Sequence, residues 1–180
     1  ARSMKKHCEQ SVHKDLPIWS HMANENWCMI GYHSVSVLAD AVAKGLPLDK
    51  EEVLKAMVSS STIPYLDGTG EYMEKGYVAL DHNGSAASLT LEYAYDDWTI
   101  YHTALLAGNR SVADTYKKRA ANYTNVFDTN MGYARPRYAD GRWKENFNLL
   151  NTHGEGFIEG NALNYSFYVP QDVDNMIRLM

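Results

Sequence analysis

The stretch Ala87-Ser-Leu-Thr-Leu-Glu-Tyr-Ala-Tyr-Asp-Asp-Trp98-Thr-Ile-Tyr-His-Thr-Ala-Leu-Leu-Ala107-Gly-Asn109 decides the fold class. Its bulky and small apolar residues, among them Leu89, Tyr93, Ala94, Trp98, Tyr101 and Leu105, recur at a helical period and cover much of the circumference. A helix apolar on several sides is one buried on several sides. Gly108-Asn109 ends it. Ser111, with Asp114 three residues on, is the expected N-cap of a second helix over about 112–127. That helix is more polar, and Asp114, Lys117, Lys118 and Arg119 are expected to face out. A buried helix joined by a short turn to a polar one reads as an antiparallel hairpin.

The same alternation is expected on either side. Residues 31–44 carry Val35, Leu38 and Val42 at helical spacing, with Gly45 as the stop. Asp49 then opens a helix with Glu51 and Glu52 in its first turn and Val53, Leu54, Met57 and Val58 on one face. A third pair is predicted over Asn161–Val169 and beyond, with Pro170 at the first position of the last helix. Long loops separate the pairs, and 133–143 reads as a short β-hairpin turning at Asp140-Gly141. A buried ring of helices inside an exposed ring is an (α/α) toroid. Three hairpins make about half of an (α/α)6 barrel, so the fold class is all-α. The loops 19–30, 63–86 and 132–160 would gather at one face, the N-terminal ends of the inner helices. An open solenoid of hairpins is the rival reading, but no repeat of fixed period supports it.

Composition narrows the function. A net charge of −5 with no run of Lys or Arg argues against a nucleic-acid surface. No transmembrane segment or targeting signal is evident, and both ends read as cuts through a longer protein. Thirteen Tyr and four Trp supply flat apolar faces with polar tips, suited to clefts that hold polar, ring-shaped ligands. Cys8 and Cys28 need not pair, and no CxxC or HExxH pattern supports a zinc site.

Cleavage of a glycosidic bond needs a carboxylic acid to protonate the leaving oxygen and a second carboxylate acting on water or on the anomeric carbon. Glu159 is placed for the first role. Gly154, Gly156 and Gly160 permit close backbone approach to a ligand, and Phe157, Ile158 and Leu163 are expected to shelter the carboxyl. Asn161 could bond a sugar hydroxyl or the acid itself; equally, Glu159 and Asn161 could simply cap a helix. Asn24-Glu25-Asn26 lies between Trp19 and Trp27, the amide-and-ring grammar of sugar recognition, or else a polar loop capping the next helix. Glu92 and Asp96 share a helix face; with Asp97 they are expected to bond loop N–H groups or an Arg. His33 and His82 are lone histidines. Arg135 and Arg137 flank Pro136, more in the manner of a salt-bridged loop than of a ligand clamp.

Four segments resemble glycoside hydrolase family 92, the calcium-dependent exo-acting α-mannosidases. They are Leu16-Pro-Ile-Trp19 leading into Asn24-Glu25 and Cys28-Met-Ile-Gly-Tyr-His33; Ser88-Leu-Thr-Leu-Glu-Tyr-Ala-Tyr-Asp-Asp-Trp98; Phe127-Asp-Thr-Asn-Met-Gly-Tyr133 with Arg135 and Asp140-Gly141; and Glu159-Gly-Asn-Ala162 with Tyr165-Ser166 and Val169-Pro170. The resemblance implies that residues 1–180 are part of an (α/α)6 catalytic domain, with an N-terminal β-sandwich and the rest of the barrel outside this chain. It implies hydrolysis of terminal α-mannosidic bonds with inversion, and Glu159 as general acid. The general base and the main calcium ligands are expected in other segments. Asn24, Glu25, Trp19, His33 and Asn161 are expected substrate contacts. The implied partners are a mannose-containing glycan and the remainder of the domain, with no nucleic acid and no membrane insertion; the implied location is secreted or periplasmic. This chain departs from the family at Leu163, Asn164 and Gln171, where Trp, Gln and His are usual. The alternative function is a non-catalytic carbohydrate-binding or scaffold fragment of helical hairpins. Other (α/α)6 glycosidases of the trehalase or glucosidase kind share the barrel but not these ordered segments.

Overall fold

The computed structural model describes residues 41–180. Trp19, Asn24, Glu25, His33, Cys8, Cys28 and the loop 19–30 lie outside the described residues. Helices dominate, in the order α1 (Lys50–Ser60), α2 (Thr69–Lys75), α3 (Ala86–Leu106), α4 (Arg110–Arg119), a 3-10 turn (Asn122–Val126), α5 (Ala162–Tyr165) and α6 (Val173–Leu179). Among the described residues one small antiparallel sheet pairs β1 (Phe127–Asp128) with β2 (Tyr133–Ala134), Phe127 opposite Ala134. The helical class read from the sequence holds. So does a hairpin near 133–143, as a single bridge between Arg137 and Trp143 with the turn at 138–141.

Helix ends follow local chemistry. Asp49 caps α1, its Oδ1 accepting from the N–H groups of Glu51 and Glu52 at 2.9 and 3.1 Å. The α3–α4 turn is tighter than expected. Gly108, at φ 76, lets the chain reverse, and Asn109 N–H reaches back to the Ala104 carbonyl at 2.8 Å. The Asn109 side chain then accepts from Val112 N–H at 3.1 Å, so Asn109 rather than Ser111 opens α4. One residue closes one helix and starts the next. Helix α4 stops at Arg119, short of 127. Beyond it a local bond and a distant one replace the continuing ladder: the Thr124 hydroxyl donates to Ala121 O at 2.8 Å, and Asn125 Nδ2 donates across the fold to Gly76 O at 3.0 Å.

Two expectations fail. The segment 63–86 is not wholly loop but contains α2. Its sequence signal was the i,i+4 pair Glu71–Lys75, 3.1 Å apart, between Gly68 and Gly76. The helix expected over 161–169 is one turn, and α6 starts after Asp172 rather than at Pro170. Proline disfavours helix at the residue before it. Ser166 also turns inward, donating to Ala162 O and accepting from Ala134 N–H at 2.8 Å, which ties the turn to the sheet.

Helix α3 is the hub, packed against α1, α4 and the 3-10 turn. Its C-terminal half buries Ile100 and Ala104 among Val53, Leu54, Met57, Ala113 and Tyr116. Its N-terminal half buries Ala87, Leu91 and Ala94 among Tyr123, Val126, Phe127, Phe157, Ala162 and Val169. Arg119 does not face solvent as expected. Its Nε donates to Asp97 Oδ2 at 3.0 Å, and its guanidinium lies over the Tyr116 ring, 4.8 Å from the centroid. Tyr72 O–H donates to the same Asp97 oxygen at 2.7 Å. A carboxylate buried on a helix demands such partners.

Asp96 has fewer. Its Oδ2 is buried with no hydrogen-bond partner among the described residues. Burial, then the charges of Asp97 and Glu92, push it well above the ordinary carboxyl value. Burial likewise pushes Asp97 up to about 6, against the pull of Arg119 and Tyr72. Both folded-state values are raised, so between about pH 4 and 6 the folded chain holds protons the unfolded chain has released. This contribution to stability is complete below about pH 4 and is lost as pH rises. Asp96→Asn, equal in shape and uncharged, should therefore raise the urea midpoint at pH 7 and leave it nearly unchanged at pH 4. An equal shift at both values would contradict the assignment.

Candidate functional site

The first N–H groups of α3 have no partner within the helix, and Ser85 offers no side-chain cap. The loop before α5 supplies the acceptor. The Gly156 carbonyl accepts from Ala87 N–H at 2.9 Å and Ser88 N–H at 3.2 Å. Ser88 answers with its own hydroxyl, which accepts from Ile158 N–H at 3.0 Å. Three hydrogen bonds thus pin residues 156–158 onto the first turn of α3.

Glycine is required at 156. Its φ is 83, and an added Cβ would lie 2.7 Å from Pro136 Cβ. Gly156→Ala should cost about 1–3 kcal/mol through a left-handed conformation that only glycine adopts easily, and should loosen the loop that carries Glu159. Hydrogen exchange at Ala87, Ser88 and Ile158 would read the loosening; unchanged protection there would refute it.

Glu159 follows directly, itself left-handed at φ 53, a conformation uncommon outside glycine. Its side chain is exposed, and no ion pair or hydrogen bond to another described residue engages it. The loop's other carboxylate, Glu155, is buried and paired with Lys144 at 3.1 Å. The shelter expected for Glu159 is partial: Phe157 is buried, but Leu163 is 39% exposed. Of the three glycines expected to open the backbone to a ligand, Gly154 has open space beside it, and Gly156 and Gly160 do not. The space beside Gly156 is filled by Pro136, and beside Gly160 by the Tyr165 ring, 3.0 Å from an added Cβ. Asn161 caps α5, its Oδ1 accepting from Asn164 N–H at 3.1 Å and its Nδ2 donating to Leu150 O at 3.3 Å.

The two described loops converge as expected. Leu80 N–H donates to Arg137 O at 2.8 Å, and Ala139 N–H to Asp81 Oδ1 at 2.9 Å, at the N-terminal end of α3. Below them runs the less buried stripe of α3: Glu92, Tyr95, Trp98 and His102. Tyr95 stacks on Trp98 with centroids 5.9 Å apart, and Tyr168 meets Tyr95 edge-on at the same distance. Burial raises the Tyr165 phenol above its ordinary value; Ser88 hydrogen bonding draws it back; Glu92 and Glu159 push it up again. Sequence reasoning missed Ser88, Tyr165 and Tyr168. The first is one of three small residues opening a helix, and the others only take on meaning once α5 docks.

Other candidates have structural partners. His82 Nδ1 lies 3.0 Å from Glu71. Arg135 pairs with Asp128 at 2.8 Å, while Arg137 lies between the rings of Tyr77 and Trp143. A groove of about 560 Å³ beside Leu54, Ala107 and Val112 sits at the opposite end of α3, away from Glu159. Among the described residues no three His, Cys, Asp or Glu side chains converge to hold a metal. No described helix is long and apolar enough to cross a membrane.

Comparison with known proteins adds to this geometry. The family model described as "Glycosyl hydrolase family 92 catalytic domain" matches residues 1–180. Among solved structures, the chain is similar to the family GH92 alpha-mannosidase BT3965 from Bacteroides thetaiotaomicron, with TM-score 0.83 and 37% identity over 98% of this chain and 24% of that one. The same enzyme in complex with mannoimidazole gives 0.84 and 38%, with the same coverage. The Family GH92 Inverting Mannosidase BT2199 from Bacteroides thetaiotaomicron VPI-5482 gives 0.76 and 33%, over 82% of this chain and 21% of that one. No curated protein matches the chain. The chain spans about a quarter of the length of the solved relatives, whose α/α toroid it shares.

Proposed function

The chain belongs to glycosyl hydrolase family 92, and from that premise we propose that it is part of an enzyme cleaving terminal α-mannosidic bonds with inversion, with Glu159 as general acid. The observation that carries this reading is the pinned loop. It presents a carboxyl that no ion pair or hydrogen bond engages among the described residues, at the face where the loops converge and one residue from Gly160, against which the Tyr165 ring lies. The Glu159 carboxyl hands its proton to the glycosidic oxygen as the bond to the anomeric carbon breaks. Water attacks that carbon from the opposite side and gives up a proton to a carboxylate on another segment. Inversion sets the two carboxyl groups about 6.5–9.5 Å apart, which leaves room for the water. The similar solved structures, an alpha-mannosidase, its mannoimidazole complex and an inverting mannosidase, support this substrate and outcome.

Other segments complete the site. The β-sandwich and the rest of the barrel close the pocket over Glu159 and supply the shelter that its own neighbours leave incomplete. Asn24, Glu25, Trp19 and His33 contact the sugar, and the calcium ligands lie outside the described residues. The protein acts outside the cytoplasm, as a secreted or periplasmic enzyme. The test is Glu159→Gln in the full-length protein, assayed on mannosides with good and poor leaving groups. Full rate on the poor-leaving-group substrate overturns the reading in favour of a non-catalytic sugar-binding scaffold.

A further inference from the structure

We propose that Ser88 is a positioning residue for Glu159: its hydroxyl holds the loop in the one conformation that aims the acid at the leaving oxygen. The inference rests on Glu159 being the general acid and adds a residue to that site. Ser88 is 1% exposed and sits on the first turn of α3, so the rigid hub helix supports it. Its Oγ accepts at 3.0 Å from the N–H of Ile158, the residue that immediately precedes Glu159. Its own N–H donates to Gly156 O at 3.2 Å. Ser88 therefore grips the loop on both sides of Phe157. Phe157, between the two bonds, packs on Tyr165 with centroids 5.6 Å apart. One small residue joins the helix to the acid loop.

Rigid support has a purpose at Glu159. A non-glycine residue at φ 53 is strained, and such strain persists only where surrounding bonds overdetermine it. Release of Ile158 N–H would let the Glu159 backbone relax toward an ordinary region and swing the carboxyl. Proton transfer tolerates little of that, since displacement by about 1 Å can cost on the order of a hundredfold in rate. The hydroxyl makes no contact with the reacting atoms, so its effect passes wholly through Glu159.

The experiment compares Ser88→Ala, Ser88→Thr and Glu159→Gln in the full-length protein, on a mannoside with a poor leaving group and one with an activated aryl leaving group. Ser88→Ala should lower kcat about tenfold on the first, change the second less than about twofold, and leave KM unaltered. Ser88→Thr, which restores the hydroxyl, should recover most of the loss. An equal drop on both substrates, or a drop that Ser88→Thr does not recover, would mean Ser88 serves the fold alone and overturns the proposal. Leaving-group-dependent loss in Glu159→Gln with none in Ser88→Ala overturns it too, while the acid assignment stands. If Glu159→Gln keeps full rate on the poor leaving group, the acid assignment itself falls. Ser88→Gly, which lacks the hydroxyl and adds no bulk, replaces Ser88→Ala should the latter fail to fold.

Discussion

Glu159→Gln should slow cleavage of mannosides with poor leaving groups by about 10²–10⁴-fold, the usual contribution of a positioned general acid. The amide matches the carboxyl in size and can still hydrogen-bond, so substrate affinity should change little. What it lacks is a proton that it can give up. An alkoxide leaving from a sugar needs that proton as the bond breaks; an activated phenolate does not. The loss should therefore shrink toward unity as the leaving group improves. Exposure of Glu159 in the described residues makes this a demanding test, because the low-dielectric surroundings an acid needs must come from other segments. A uniform loss across leaving groups would point to a collapsed loop rather than a missing proton.

Arg119→Met should destabilise the protein by about 3–5 kcal/mol, the cost of stranding a buried charge. The guanidinium makes a two-pronged contact with Asp97, through Nε to Oδ2 and Nη2 to Oδ1, each at 3.0 Å. It also donates to the Ser61 carbonyl at 3.2 Å, joining α4 to the end of α1. Methionine fills part of the volume and leaves Asp97 with Tyr72 alone. The double variant Arg119→Met with Asp97→Asn should be more stable than Arg119→Met, because the stranded charge is gone. Urea unfolding of the two singles and the double measures the coupling. Additive losses would show that the pair does not act as a unit.

The fold was legible where one segment carries its own signal. The α3 pattern, the Asp49 cap, the Gly108-Asn109 turn and the polar face of α4 follow from spacing and local bonding. Helix α2 was missed because seven residues carry too few periods to stand out from a glycine-rich loop. The last helices were overdrawn because Ser166 bonds to a strand distant in sequence. Arg119 looked like a surface residue in a run of three cations, and its neighbours Lys117 and Lys118 are exposed. Only the position of Asp97, across the hairpin, draws it inward.

The sequence alone determined the helical class, from residue types at fixed spacing along one segment, and the family, from four ordered segments whose resemblance also marked Glu159 as the carboxyl to watch. Tertiary structure decided how that carboxyl is held. The Gly156 carbonyl accepts from the N–H groups of Ala87 and Ser88, and the Ser88 hydroxyl accepts from Ile158 N–H, across roughly seventy residues of chain; the partners of a helix end are chosen by what packs there. It also decided that Gly156 and Gly160 are filled by Pro136 and Tyr165 rather than left open to a ligand. Close approach is a fact about two backbones in space, and composition records only that one of them permits it.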